Sequence, residues 1–202
     1  MLVVGLTGGI GSGKSAFARL LEARGAELID ADALGRAALE PGRPAWHSVV
    51  DQFGDEILEP GGMNVNRKTL ARIVFNDKDK LAALNAIVHP VIMGEIADTL
   101  ETLRGTNEIV VVDAALIFEL GLAGGMDVII IVVAPLESRR VWLSSSRGMS
   151  IEEIEQRMAA QLSAEDQIER ADIVVKNEGT IDDLAEEADR VWAELMRRRD
   201  TA

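Results

Sequence analysis

The residues best suited to chemistry come early in the chain. Gly8-x-x-x-x-Gly13-Lys14-Ser15 lies between a short apolar run and a helical pattern. Glycines let a backbone curl around an anion with its N–H groups turned inward, and the first turn of a helix adds the positive end of its dipole. Lys14 can reach the β- and γ-phosphates of a nucleotide, and the Ser15 hydroxyl can ligate Mg2+. Gly9, Gly11, Ser12, Gly13, Lys14, Ser15 and Ala16 are therefore read as an ATP-binding loop, with Ser15 as the metal ligand. Ala16 keeps a backbone N–H but brings no side-chain hydroxyl. One missing hydrogen bond to a charged oxygen costs about 1.5–3 kcal/mol unless another group fills in.

Other polar positions recur at the ends of apolar runs. Ile109 to Val112 ends in Asp113, a carboxylate suited either to the neighbourhood of Mg2+ or to capping. Leu28-Ile29-Asp30-Ala31-Asp32 ends another run. In a parallel sheet the C-terminal ends of neighbouring strands open on one crevice, so Asp32 is expected to take or orient the proton of an acceptor hydroxyl. Asp30 or Asp32 could equally cap the helix that follows. Arg139, Arg140, Arg147 and Arg157 bracket Ser144-Ser145-Ser146-Arg147-Gly148, which reads as a mobile turn between two helices. Such a hairpin can close over ATP and carry arginine to the transferring phosphoryl group.

These groups need a frame. Leu2 to Leu6, Glu27 to Ile29, Ile109 to Val112, Val128 to Val133 and Ile173 to Val175 read as buried strands, and helical patterns lie between them. That alternation predicts an α/β fold: a P-loop NTPase three-layer arrangement around a five-stranded parallel sheet. The stretch 33–104 breaks the alternation. Arg67 to Phe75, Lys78 to Val88 and Val91 to Leu103 are helical, with His89-Pro90 read as the break between the last two. An excursion of about 70 residues is longer than a crossover needs and predicts a helical, acceptor-binding insertion. The chain is thus read as one domain over 1–202. Its P-loop core is at about 1–32, 105–138 and 165–202, its insertion at 33–104 and its lid at 139–164.

Composition narrows the function. The net charge of −13 argues against a nucleic-acid partner, which needs a basic face, but not against a small polyphosphate governed by cations within about 8 Å. The absence of cysteine excludes disulfides and thiolate metal sites. The N-terminal residues do not read as a signal peptide, and the apolar run Val128 to Ala134 is too short to span a bilayer. A cytoplasmic protein without membrane association is expected. A guanine-reading N-K-x-D is missing at Val175-Lys176-Asn177-Glu178, and Asp113-Ala114-Ala115-Leu116 is not a D-x-x-G switch, so a GTPase is a poor reading.

Taken in order, the motifs resemble those of dephospho-coenzyme A kinases over essentially the whole chain. They are Gly5-Leu-Thr-Gly-Gly-Ile-Gly-Ser-Gly-Lys-Ser15, Ile29-Asp-Ala-Asp32 with Arg36, Gln52-Phe-Gly54, Arg67 with Leu70 and Val74-Phe75, and His89-Pro90. Val112-Asp-Ala-Ala-Leu-Ile-Phe-Glu119, Gln161, Ala171-Asp172 and Asn177-x-Gly179 follow. The resemblance implies transfer of the γ-phosphate of ATP to the ribose 3′-hydroxyl of dephospho-CoA, with Mg2+. It implies Asp32 as base, Lys14 as the stabiliser of the transferring group, and Arg140 and Arg147 as lid arginines. It implies Asn177 beside the adenine, and Arg36, Arg67 and His89 with Asp32 at the acceptor. Ala16, Asn66, Ala115 and Trp142 stand where the family usually has threonine, aspartate, proline and arginine. A different small hydroxyl acceptor, or a weakened ATP-binding relative, remains as an alternative.

Overall fold

The computed structural model describes residues 1–106, 108–159 and 161–201; the side chains of Phe75, Ser146 and Arg147 lie outside the described residues. In chain order the elements begin β1 (Leu2–Thr7), α1 (Lys14–Glu22), β2 (Glu27–Asp30), α2 (Ala31–Ala38), α3 (Pro44–Phe53), α4 (Arg67–Phe75) and α5 (Lys78–Thr102). They continue with β3 (Ile109–Asp113), β4 (Val128–Val133), α6 (Leu136–Arg147), α7 (Ile151–Ala159), α8 (Ala164–Arg170), β5 (Ile173–Lys176) and α9 (Ile181–Thr201). The chain divides into two compact units, Met1–Asp30 with Leu100–Ala202, and Ala31–Thr99.

The first unit is built on a five-stranded sheet of order β2-β3-β1-β4-β5, parallel throughout. All the residues of β1 and β3 are buried, which is why these strands read as continuous apolar runs instead of alternating ones. Val4, Leu6, Val111, Ile130, Val132 and Val175 share a core with Phe17 and Leu21 of α1 and with Leu184, Val191 and Leu195 of α9. α8 packs against β4.

The second unit has its own core. Trp46 and Val49 of α3, Ile57, Val65, and Leu70 and Val74 of α4 pack with Leu81, Leu84, Ile87 and Val88 of α5. The Trp46 indole N–H, which burial would otherwise strand, donates to the Met63 carbonyl (2.8 Å). Asn66 caps α4 by accepting from the Thr69 N–H (3.0 Å), a task at which Asn and Asp are equivalent. By length and composition α5 could cross a membrane, but its Leu81, Leu84, Ile87 and Val88 line this core.

Two local readings are corrected. His89-Pro90 does not separate two helices: α5 runs unbroken through Pro90. Proline removes one helical hydrogen bond, while Leu84, Ile87 and Val88 pack into the second core before it, and Ile92 and Ile96 are buried after it. Ser144 to Ser146 do not form a turn but belong to α6. Ser144 and Ser145 turn their hydroxyls back to the Val141 carbonyl (3.1 and 2.7 Å), which removes the competition that serine usually offers a helix. α6 stops instead at Gly148, whose φ of 60° is left-handed.

Phe17 is fully buried between α1 and the sheet. Phe17→Ala is expected to lower unfolding free energy by about 3–5 kcal/mol in urea titration, with the slope against urea unchanged.

Candidate active site

The phosphate loop spans the gap between Thr7, the last residue of β1, and Lys14, the first of α1. Its shape is set by close approach. Gly13 has φ 93°, and a Cβ there would lie 2.3 Å from the Asn177 Nδ2. Only glycine meets both conditions. The Asn177 amide donates to the Ser12 carbonyl (2.9 Å), and its own backbone N–H donates to the Val133 carbonyl (2.8 Å). Asn177 therefore ties the loop to the end of β4. Among the described residues no side chain caps α1 at Gly13, as suits a helix start that must receive an anion. The Ser12 hydroxyl is buried without a hydrogen-bond partner. The Ser15 side chain is exposed, whereas Ala16 packs against the core and its N–H donates to the Gly13 carbonyl (2.9 Å).

Lys14 is buried, and its ammonium is paired with the Asp113 carboxylate, also buried. The sheet makes this meeting possible. Asp113 closes β3 and stands in register with Leu6 of β1 on one side and Asp30 of β2 on the other. The helix end that carries Lys14 follows β1 directly, so the lysine needs only its own length to cover the next strand. An ion pair so enclosed is held by mutual compensation, since either partner alone would be an unpaired charge out of water.

The remaining expected residues fall into separate groups. In the second unit, Asp32 is exposed in the first turn of α2, two residues beyond Asp30. Arg36 is exposed in the last turn of α2, and its carbonyl accepts a long hydrogen bond from the Arg67 guanidinium (3.5 Å), which brings the two arginines together. Arg67 also lines a groove of about 550 Å3 with Lys68, Asn64 and Asn66. His89 lies within α5; burial lowers its pKa, and its Nε2 is buried without a hydrogen-bond partner. In the first unit, Arg140 is bound to Glu155 of α7 and to Glu137 of its own helix (2.9 Å to Glu137), which raises its pKa, the hydrogen bond to Glu155 contributing most. Arg147 closes α6, and its side chain lies outside the described residues.

The structure brings to the loop two residues that the sequence placed elsewhere, Arg139 among the lid arginines and Gln161 among the later motifs. The Arg139 Nε donates to the Ile10 carbonyl (2.8 Å), and its guanidinium would lie 2.6 Å from a Cβ on Gly9. Burial lowers its pKa. The Ile10 N–H donates to the Gln161 Oε1 (2.9 Å), and the Gln161 Nε2 donates to the Ala115 carbonyl (3.1 Å). The two contacts at Ile10 span 129 and 151 residues, and no local spacing signals them.

A glycine loop leading from a parallel strand into a helix, with a buried lysine paired to the aspartate of the next strand, defines a P-loop nucleotide-binding fold. A family model described as dephospho-CoA kinase matches residues 2–183. A dephospho-CoA kinase of Thermobifida fusca is 46% identical over 198 residues, 98% of each chain. Among solved structures, TT1252 of Thermus thermophilus is similar with a TM-score of 0.82 at 35% identity, covering 96% of this chain and 97% of that one. A dephospho-CoA kinase of Campylobacter jejuni gives a TM-score of 0.70 at 25% identity, with the same coverage. The chain belongs to the dephospho-CoA kinase family, transferases that phosphorylate dephospho-CoA with ATP in coenzyme A biosynthesis.

Removing Lys14 strands the Asp113 carboxylate. Lys14→Ala is expected to cost about 3–5 kcal/mol of stability, and adding Asp113→Asn should return part of it. Chemical denaturation of the single and double variants checks this coupling.

Proposed function

We infer that this chain transfers the γ-phosphoryl group of ATP to the ribose 3′-hydroxyl of dephospho-CoA. The acceptor oxygen bonds to phosphorus, the bond to the β,γ-bridging oxygen breaks, and ADP and CoA leave. The single observation that carries this reading is the Lys14–Asp113 pair beneath the glycine loop, in a chain of this family. An arriving triphosphate offers Lys14 a second anion, so the ammonium stabilises charge that gathers on the β- and γ-oxygens.

Asp32 is the proposed base. It is exposed just past the end of β2, the strand beside the one that ends in Asp113, and its carboxylate takes the proton of the acceptor hydroxyl. Arg36, Arg67 and His89 are proposed to bind the acceptor. The groove beside Arg67 and Lys68 offers cations and amides to an anionic substrate. Asn177, fixed against Ser12, is proposed to border the adenine. Arg140 and Arg147 are proposed to act from a lid at about 139–164, where Arg140 would exchange Glu137 and Glu155 for phosphate oxygens.

Ser15 and Asp113 are hard oxygen donors of the kind Mg2+ takes, and no set of three or more His, Cys, Asp or Glu side chains arranged for a metal occurs among the described residues. That donor set fits an ion that arrives with the nucleotide and keeps phosphate and water oxygens as its other ligands. Bound there, Mg2+ would neutralise charge on the transferring phosphate. A cytoplasmic setting, with no nucleic-acid or membrane partner, accords with the acidic, cysteine-free composition.

Three outcomes are expected. With ATP and Mg2+, ADP should form only when dephospho-CoA is added; no turnover would contradict the proposal. Asp32→Asn should cut kcat by at least about 100-fold while ATP affinity, read by calorimetry, stays within about twofold. Ala16→Thr should tighten ATP binding by about tenfold if the absent hydroxyl is uncompensated; an unchanged affinity would mean that another group already fills its place.

A further inference from the structure

We propose that Gln161 is a positioning residue for the phosphate loop, holding it in register with the segment that carries Asp113. This rests on the reading of the loop as an ATP site. Gln161 follows α7, in the first unit, and uses both ends of its amide on backbone. Its carbonyl oxygen receives the Ile10 N–H at 2.9 Å, and its amino group donates to the Ala115 carbonyl at 3.1 Å. Ile10 is in the middle of the loop, and Ala115 is two residues past Asp113. One planar group therefore sets the spacing between the two segments that meet again in the Lys14–Asp113 pair.

Three neighbouring contacts make the link stiff. The Leu162 N–H donates to the Glu119 Oε1 (2.7 Å), fastening the same turn of chain to the segment after β3 a second time. The Gln161 N–H donates to the Met158 carbonyl (3.2 Å) and orients the residue. On the other side of Ile10, the Arg139 Nε donates to its carbonyl (2.8 Å). Both peptide groups flanking the Ile10 Cα are thus held, one by Gln161 and one by Arg139, and neither depends on the Ile10 side chain. The Ile10 N–H is committed to Gln161, so phosphate must be met by other amides of the loop.

The chemistry demands a group that donates at one end and accepts at the other, which the Gln161 amide does toward both segments. This supplies a test that mere packing does not pass. In Gln161→Glu the introduced carboxyl can replace the amide only when protonated, its O–H donating to Ala115 and its other oxygen accepting from Ile10. Ionised, it faces the Ala115 carbonyl oxygen with no proton between them, which also raises its pKa above the usual value of about 4.3.

The experiment measures ATP affinity by calorimetry, and kcat and KM for both substrates, from pH 5 to pH 8, for the full chain and for Gln161→Glu and Gln161→Ala. Thermal unfolding first establishes that each variant is folded. Gln161→Glu is expected to bind ATP about tenfold or more weakly than the parent at pH 8 and to recover toward it as pH falls. Gln161→Ala should lose as much at every pH, relative to the parent. In both, KM for ATP should rise while KM for dephospho-CoA stays within about twofold. The proposal is overturned if Gln161→Ala binds ATP as the parent does, or if the two variants follow the same pH profile. Absence of turnover in the parent chain would instead count against the assigned reaction, and ATP binding would still decide the role of Gln161.

Discussion

A lysine with almost no access to water must have a counter-charge, and in this chain Asp113 supplies it. Most of the first unit can be understood from that requirement. β3 has to lie beside β1 so that its last residue comes within reach of the first residue of α1, and the register Leu6 to Asp113 achieves this. The loop between them must then be short and tightly turned, which the left-handed glycines permit. The strands beneath must be apolar on both faces, because the charged pair sits at the rim of a core that admits no further uncompensated charge.

The same requirement explains how the loop can serve a nucleotide. A lysine already held by a carboxylate is ordered before substrate arrives, so less freedom is lost when phosphate binds. Asn177, Arg139 and Gln161 extend this ordering to the backbone. Each binds a main-chain group of the loop, at Ser12 or Ile10, and leaves the loop's sequence free to answer to the phosphate alone. The departures at Asn66 and Ala115 each have a structural task. Asn66 caps α4 as an aspartate would, and the Ala115 carbonyl, which any residue has, accepts from Gln161.

The inner strands were legible because β1 and β3 are buried throughout and so appear as apolar runs, and α4 was legible from the helical periodicity of Arg67 to Phe75. The phosphate loop was legible because its chemistry is local: glycine, lysine and serine at fixed spacing. What failed was local in signal but tertiary in cause. Pro90 is a breaker by propensity, yet apolar packing on both sides carries α5 through it. The three serines look like a turn, yet they belong to a helix in which the Ser144 and Ser145 hydroxyls find a carbonyl one turn back, and Gly148 ends the helix instead. The contacts that Arg139 and Gln161 make were not legible for another reason: they recognise backbone far away in the chain, and backbone has no sequence.

The central claim concerns where a phosphate ends up, and 31P NMR of the reaction of the purified chain with ATP, Mg2+ and dephospho-CoA reads that directly. The account predicts a new phosphomonoester signal coupled to the ribose 3′-proton, growing in step with ADP. ATP consumption without that signal, or a phosphate on any other oxygen of the acceptor, would contradict it.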